Sequence, residues 1–129
     1  MRAKVSETYD ANAEALLNLN LSQYPKEVEF FHSVKLNIAL CSLKMGEFKE
    51  CIQVCDEILA FDSKSVKAWY RRAMAFKFLH EPHLALYDLQ NALQISPHDS
   101  LCLQEIRYVQ RQIEREEKNE KRVSSKIFG

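Results

Sequence analysis

The chain has 129 residues, enough for one domain with a sizeable core, and 47% of them are hydrophobic. Only two Gly and three Pro interrupt it, which predicts an all-α protein. Eighteen Lys and Arg balance eighteen Asp and Glu, which argues against broad nucleic-acid or anionic-membrane binding, and no apolar run approaches the ~20 residues of a membrane span.

Apolar residues recur at spacings of three and four, the helical period. The first such pattern runs from about Ala3 to Leu19, and Ser22-Gln23-Tyr24-Pro25 breaks it. A second covers about Lys26 to Met45 and ends at Gly46, a natural helix C-cap. A third runs from about Phe48 to Phe61, followed by the capping turn Asp62-Ser63-Lys64-Ser65. A fourth covers about Val66 to Leu79. Glu81 and Pro82 open a fifth that ends near Ile95, Pro97 to Ser100 form the next turn, and a last helix runs from about Leu101 into a charged tail.

The residues that could carry chemistry are sparse. Cys41, Cys51, Cys55 and Cys102 all fall inside helical patterns among apolar neighbours and read as reduced, buried thiols. Cys51 and Cys55 share a helix face, but no His or second Cys pair completes a zinc set, so no metal or cofactor is expected. His32, His80, His83 and His98 are scattered, and with only Gly46 and Gly129 there is no glycine-rich phosphate loop. The chain therefore reads as a binding module and not as an enzyme.

Internal repetition sharpens this reading. Sliding 66–99 back by 34 residues onto 32–65 places Ala73 on Ala39, Leu79-His80 on Met45-Gly46, Ala85 on Cys51, Leu89 on Cys55, Ala92 on Ile58 and Leu93 on Leu59. Small residues meet small ones where helices must approach closely, and large apolar residues meet large ones where space must be filled. Trp69, Ala73, Phe76, Ala85, Leu89, Ala92 and Pro97 resemble a nearly complete tetratricopeptide-repeat consensus. The copy at 32–65 departs from it: Cys51 and Ile58 stand for alanines, and Ser63 for the closing proline. The resemblance implies helix pairs stacked in a right-handed superhelix with a concave groove. The expected organisation is a repeat domain over 1–110, with a partial repeat at 1–25 and full repeats at 32–65 and 66–99, then a capping helix and charged tail over 101–129. The helix at Ala3–Leu19, with Tyr9, Ala11, Ala13, Leu16 and Leu17, resembles the second helix of a first repeat whose partner helix is absent. Its uncovered apolar face invites homodimer formation.

Lys67 and Arg71, four apart, project from one face of a groove helix and together suit a carboxylate. Thirty-four residues before Arg71 stands Asn37, which can donate to a carboxylate without adding charge. The trio resembles the dicarboxylate clamp of tetratricopeptide co-chaperones. Asn37 matches that family's second-repeat Asn, and Lys67 and Arg71 match its third-repeat Lys and Arg. The first-repeat Lys and Asn would lie on the absent helix. Leu36, Leu40, Tyr70 and Met74 are expected as apolar groove neighbours, with ordinary inter-repeat core as the alternative.

The resemblance, closest to FK506-binding immunophilins and the aryl-hydrocarbon-receptor-interacting protein, implies a ligand. This is the C-terminal Glu-Glu-Val-Asp tail of the ninety-kilodalton heat-shock chaperone, in some members that of the seventy-kilodalton one. It also implies a cytoplasmic protein, with the nucleus open to it. The tail Val123-Ser124-Ser125-Lys126-Ile127-Phe128 resembles the end of immunophilin domains, with Ser124 in place of their Tyr. Two other readings stand beside this one: the targeting module of a peptidyl-prolyl isomerase whose catalytic domain lies outside the chain, and a scaffold that binds an unrelated partner.

Overall fold

A computed structural model describes residues 23–128. The helix expected over Ala3–Leu19, and with it the uncovered face of the partial repeat, lies outside the described residues. Five α-helices follow in order: α1 Pro25–Lys44, α2 Phe48–Phe61, α3 Val66–Phe78, α4 Pro82–Ile95 and α5 Ser100–Phe128. Two units, 1–34 and 35–129, divide the chain. The described part of the first is Gln23, Tyr24 and the opening turns of α1.

Each helix begins where the chain supplies a start signal. Pro25 and Pro82 take first-turn positions, where no N–H is needed. Ser65 caps α3, its hydroxyl accepting from the Ala68 N–H at 3.3 Å. Asp99 does the same for α5, accepting from the Cys102 N–H at 3.0 Å, so that helix starts at Ser100, one residue earlier than expected. The turn before α3 is tied twice: Asp62 accepts from the Lys64 N–H at 3.1 Å, and the Trp69 indole donates to the Ser63 carbonyl at 2.8 Å.

The helix ends repeat at the same interval. After α1, Glu47 N–H bonds to Ser42 O at 2.8 Å and Gly46 N–H to Leu43 O at 3.2 Å. After α3, Glu81 N–H bonds to Phe76 O at 2.9 Å and His80 N–H to Lys77 O at 3.1 Å. Both are Schellman closures, which need a left-handed residue at the pivot. Gly46 supplies it at φ 79°, and His80 supplies it at φ 60° against a steric cost.

Small residues let the helices approach closely. Ala39, Cys51, Cys55 and Ala75 form one fully buried cluster, flanked by Leu43, Phe48, Ile52 and Val54. A second joins Ala73, Met74, Ala85, Leu89, Ala92, Cys102 and Val109. Helix α2 packs on α3, α3 on α4 and α4 on α5. Cys51, at the position where the repeat consensus has Ala, is fully buried, and Ile58, the other departure, is 1% exposed.

One polar tie runs through this packing. Arg72 of α3 donates through Nε and Nη2 to both oxygens of Asp88 on α4, at 2.9 and 2.7 Å, and through Nη1 to Asp56 on α2 at 2.7 Å. Its guanidinium lies 5.0 Å from the Trp69 ring centre. Asp88 is 1% exposed. Burial pushes its carboxyl above the usual carboxylate range, and the hydrogen bonds from Arg72 offset part of that push. The same bonds hold the guanidinium protonated.

Two stability predictions follow from these features. His80→Gly is expected to raise stability by roughly 0.5–1 kcal/mol, and Gly46→Ala to lower it by about 1 kcal/mol. A Cβ at Gly46 meets no atom within 4 Å, so that loss is backbone strain alone. Asp88→Leu is expected to cost about 3 kcal/mol because it leaves the Nε and Nη2 donors of Arg72 without their acceptor, Asp56 holding Nη1 alone, whereas Arg72→Met combined with Asp88→Leu recovers most of the loss. Urea unfolding of the four variants checks both. A double variant no more stable than the single would show that the pair itself, and not the stranded charge, carries the energy.

Candidate peptide groove

Helices α1 and α3 meet through a residue expected at the carboxylate site. Arg71 reaches from α3 to α1, and its Nη1 donates to the Leu36 carbonyl at 2.6 Å. The guanidinium is thereby held one residue from Asn37, whose own side chain is exposed. The remaining N–H groups of Arg71 meet no acceptor among the described residues and keep their capacity for a forked carboxylate bond. Arg71 is anchored at its backbone as well: the Cys51 thiol donates to its carbonyl at 3.7 Å. Lys67, one turn earlier on α3, is exposed.

The expected apolar neighbours divide. Leu36, Leu40 and Tyr70 are half-buried and keep surface to offer. Met74 does not: at 5% exposure it belongs to the core cluster with Ala73, Ala85 and Leu89. Its flexible side chain fills the gap that small residues leave, as thioethers commonly do. The groove role expected for Met74 therefore gives way to a packing role. Tyr70 packs against the same cluster, and burial, with a smaller push from Glu105, raises its phenol above the ordinary value.

Periodicity alone left a further group unread. Lys77 of α3 donates to Glu105 of α5 at 2.9 Å, with both side chains largely sheltered. The Lys77 ammonium also lies 5.0 Å from the ring centres of Phe78 and of Tyr108. The available signal was Glu105 itself, which stands 34 residues after Arg71 and so at the equivalent position of the next register. Phe78 in turn stacks on Phe48 at 5.2 Å.

No protein-family model matches the chain. It is 32% identical over 92 residues to FK506-binding protein 59 of Drosophila melanogaster, covering 71% of this chain and 21% of that protein. Peptidyl-prolyl cis-trans isomerase FKBP4 of Homo sapiens matches at 31% over 93 residues, 72% of this chain and 20% of the relative. Outer envelope protein 61 of Arabidopsis thaliana matches at 30% over 112 residues, 87% and 20%. The chain thus spans about a fifth of the length of the curated relatives it matches. Among solved structures, the Arabidopsis OM64 TPR domain superposes with a TM-score of 0.62 at 22% identity, covering 80% of this chain and 88% of that one. The first TPR domain of human RPAP3 does so at 0.66 and 17%, covering 88% and 91%. The chain is a tetratricopeptide-repeat domain.

The tetratricopeptide solenoid is a protein-interaction fold and not a catalytic one, and the domain is an interaction module. Among its described residues no helix is long and apolar enough to cross a membrane. Its thiols are all free, yet they differ. Cys51, Cys55 and Cys102 are buried as expected, but Cys41 is exposed. Ala39 and Ser42 turn into the core, and the helical period carries Cys41 round to the other side of α1. The hydrogen bond to Cys51 and burial push the Cys55 thiol up, and burial pushes Cys102 up to about 11.

Thiolate is the reactive form, so burial and raised pKa act together at Cys55 and Cys102, whereas at Cys51, which the hydrogen bond with Cys55 holds below the ordinary value, burial alone protects the thiol. Ellman titration of the native tetratricopeptide domain near pH 8 is expected to show one fast thiol, abolished by Cys41→Ser, and four after denaturation. A second fast thiol in the native domain would mean that the α2–α3 packing opens readily.

Proposed function

We propose that the domain binds the acidic C-terminal Glu-Glu-Val-Asp tail of the ninety-kilodalton heat-shock chaperone as a co-chaperone adaptor, with Asn37, Lys67 and Arg71 receiving the terminal carboxylates. The observation that carries this reading is the bond from Arg71 to the Leu36 carbonyl, which ties a half-buried guanidinium to the helix that bears Asn37. A guanidinium already oriented loses little freedom on taking a carboxylate, which favours binding. Exposed Lys67 adds a point charge beside it, and Leu36, Leu40 and Tyr70 offer apolar surface to the Val of the tail. The similarity to FK506-binding proteins supports the same ligand class.

For the parent protein we propose the cytoplasm, and the nucleus with it, as the place where a soluble chaperone would be met. A second reading rests on the printed name of one relative, a peptidyl-prolyl cis-trans isomerase of which the chain covers 20%. On that reading the groove targets a catalytic domain carried elsewhere in the parent chain.

Calorimetric titration with a free-acid Glu-Glu-Val-Asp peptide and with its C-terminal amide tests the clamp. The free acid is expected to bind, and the amide to bind at least tenfold more weakly. Arg71→Ala is expected to remove about 1.5–3 kcal/mol of binding free energy, and exposed Lys67→Ala less. Because Arg71 also ties α3 to α1, circular dichroism of that variant must show the helices intact. Equal binding of acid and amide would overturn the reading.

A further inference from the structure

The register that aligns Asn37 with Arg71 continues one step further, to Glu105 on α5. Where α1 carries an amide and α3 a guanidinium, α5 carries a carboxylate. That carboxylate is engaged: Glu105 holds Lys77 at 2.9 Å, with side-chain exposures of 20% and 16%. The ammonium it holds lies between two half-exposed rings, Phe78 and Tyr108, each with its centre 5.0 Å away. Lys67, by contrast, makes no ion pair among the described residues and is exposed. Helix α3 thus presents two lysines in opposite states, one open near Arg71 and one already neutralised toward α5.

We propose that Glu105 acts as an internal competitor for the acidic peptide and so sets the specificity of the groove. By occupying Lys77 it denies that cation to the ligand, and the α5 end of the groove gains nothing from an acidic residue there. This rests on the reading that the terminal carboxylates sit at Asn37, Lys67 and Arg71.

Helix geometry says which ligand residue is concerned. Arg71 and Lys77 are six residues apart on α3, about 9 Å along the helix axis. An extended peptide covers that span in about three residues. Six residues also turn the helix so that Lys77 faces about 120° away from Arg71, toward α5. With the terminal Asp at Arg71, the first Glu of the four lies level with Lys77, and the two long side chains span the remaining distance round the helix. In the native domain this Glu meets an ammonium whose charge Glu105 already satisfies, between rings that suit an uncharged side chain equally well. With Glu105 replaced by an isosteric amide, the ammonium still lies between the rings, and the ligand's carboxylate becomes its best partner.

The test is a calorimetric comparison of the wild-type domain and Glu105→Gln with two free-acid peptides, Glu-Glu-Val-Asp and Gln-Glu-Val-Asp. The wild type is expected to bind both within about twofold, and Glu105→Gln to prefer the first by about fivefold or more, a gain that shrinks in high salt. Lys77→Met added to Glu105→Gln is expected to erase the preference, and since Met is apolar and flexible it keeps the packing between the rings. If both peptides bind the wild type through their free carboxylate but Glu105→Gln leaves their ratio unchanged, the competitor role is overturned and the clamp stands. A wild type that already prefers Glu-Glu-Val-Asp by fivefold overturns it as well. If neither peptide distinguishes acid from amide in the wild type, the clamp reading falls, and this inference falls with it.

Discussion

The hydrogen-bonded fork between Arg72 and Asp88 is the constraint on which the rest of the described fold turns. Burying a carboxylate to 1% exposure costs several kcal/mol unless a partner meets it in good geometry. Arg72 meets it with two bonds and reserves a third for Asp56, so one side chain joins α2, α3 and α4. The planar guanidinium, lying over Trp69, is what makes three directed bonds feasible from one group; a lysine would offer a point charge without the fork. This is a device for setting register as much as for adding stability. Apolar surfaces of Ala, Cys and Leu can slide past one another at small cost, but a fork aimed at two carboxylates cannot.

Fixing α3 in rotation also assigns the residues on its other sides. Arg71, the next residue, points back to α1 and bonds the Leu36 carbonyl. Met74 turns into the core. Lys77 leans the opposite way, to Glu105 on α5. Three consecutive contacts on one helix thus face three different neighbours, and the polar ones sort by burial. Arg72 and Lys77, about equally sheltered, are both paired, Arg72 across the core to α2 and α4 and Lys77 to α5. Arg71 spends one donor on the scaffold and keeps the others. Lys67 keeps its whole charge for solvent or ligand. The gradient from structural to available charge runs along a single helix of thirteen residues.

Much of this fold was legible in the sequence because repetition converts local signals into a register. The ends of α1 to α4 and the start of α5 fall within one residue of the positions read from Pro, Gly and the 3.6-residue period, and Gly46 and His80 occupy the same pivot 34 residues apart. The pattern also located the small residues that allow close helix approach. What it could not convey is which of two neighbouring polar residues turns inward. Arg71 and Arg72 are adjacent and chemically alike, and only the packing of α2 and α4 decides that Arg72 goes between them. Met74 was left between groove and inter-repeat core for a related reason: apolar residues on such a helix look the same whether they face outward or seal the gap beneath, and its burial fits the core alternative. Cys41 escaped because its apolar neighbours in sequence, Ala39 and Leu43, sit on a different side of the helix from the thiol itself. The Lys77–Glu105 pair could have been found by extending the slide one step beyond the second full repeat, into a helix whose apolar pattern no longer matches the consensus.

That last point bears on how a repeat domain acquires a preference. The positions that hold the helices together are constrained to small and apolar residues by close packing, so they have little freedom to encode a ligand. Positions outside that packing are released from the constraint, and three of them recur at equal spacing with different chemistry: an amide at 37, a guanidinium at 71, a carboxylate at 105. Equivalent backbone sites on α1, α3 and α5 thus carry different chemistry, and the carboxylate among them is already paired with Lys77. The solenoid supplies repeated geometry, and the departures from repetition at these few exposed or half-buried sites supply the asymmetry that a directional ligand requires.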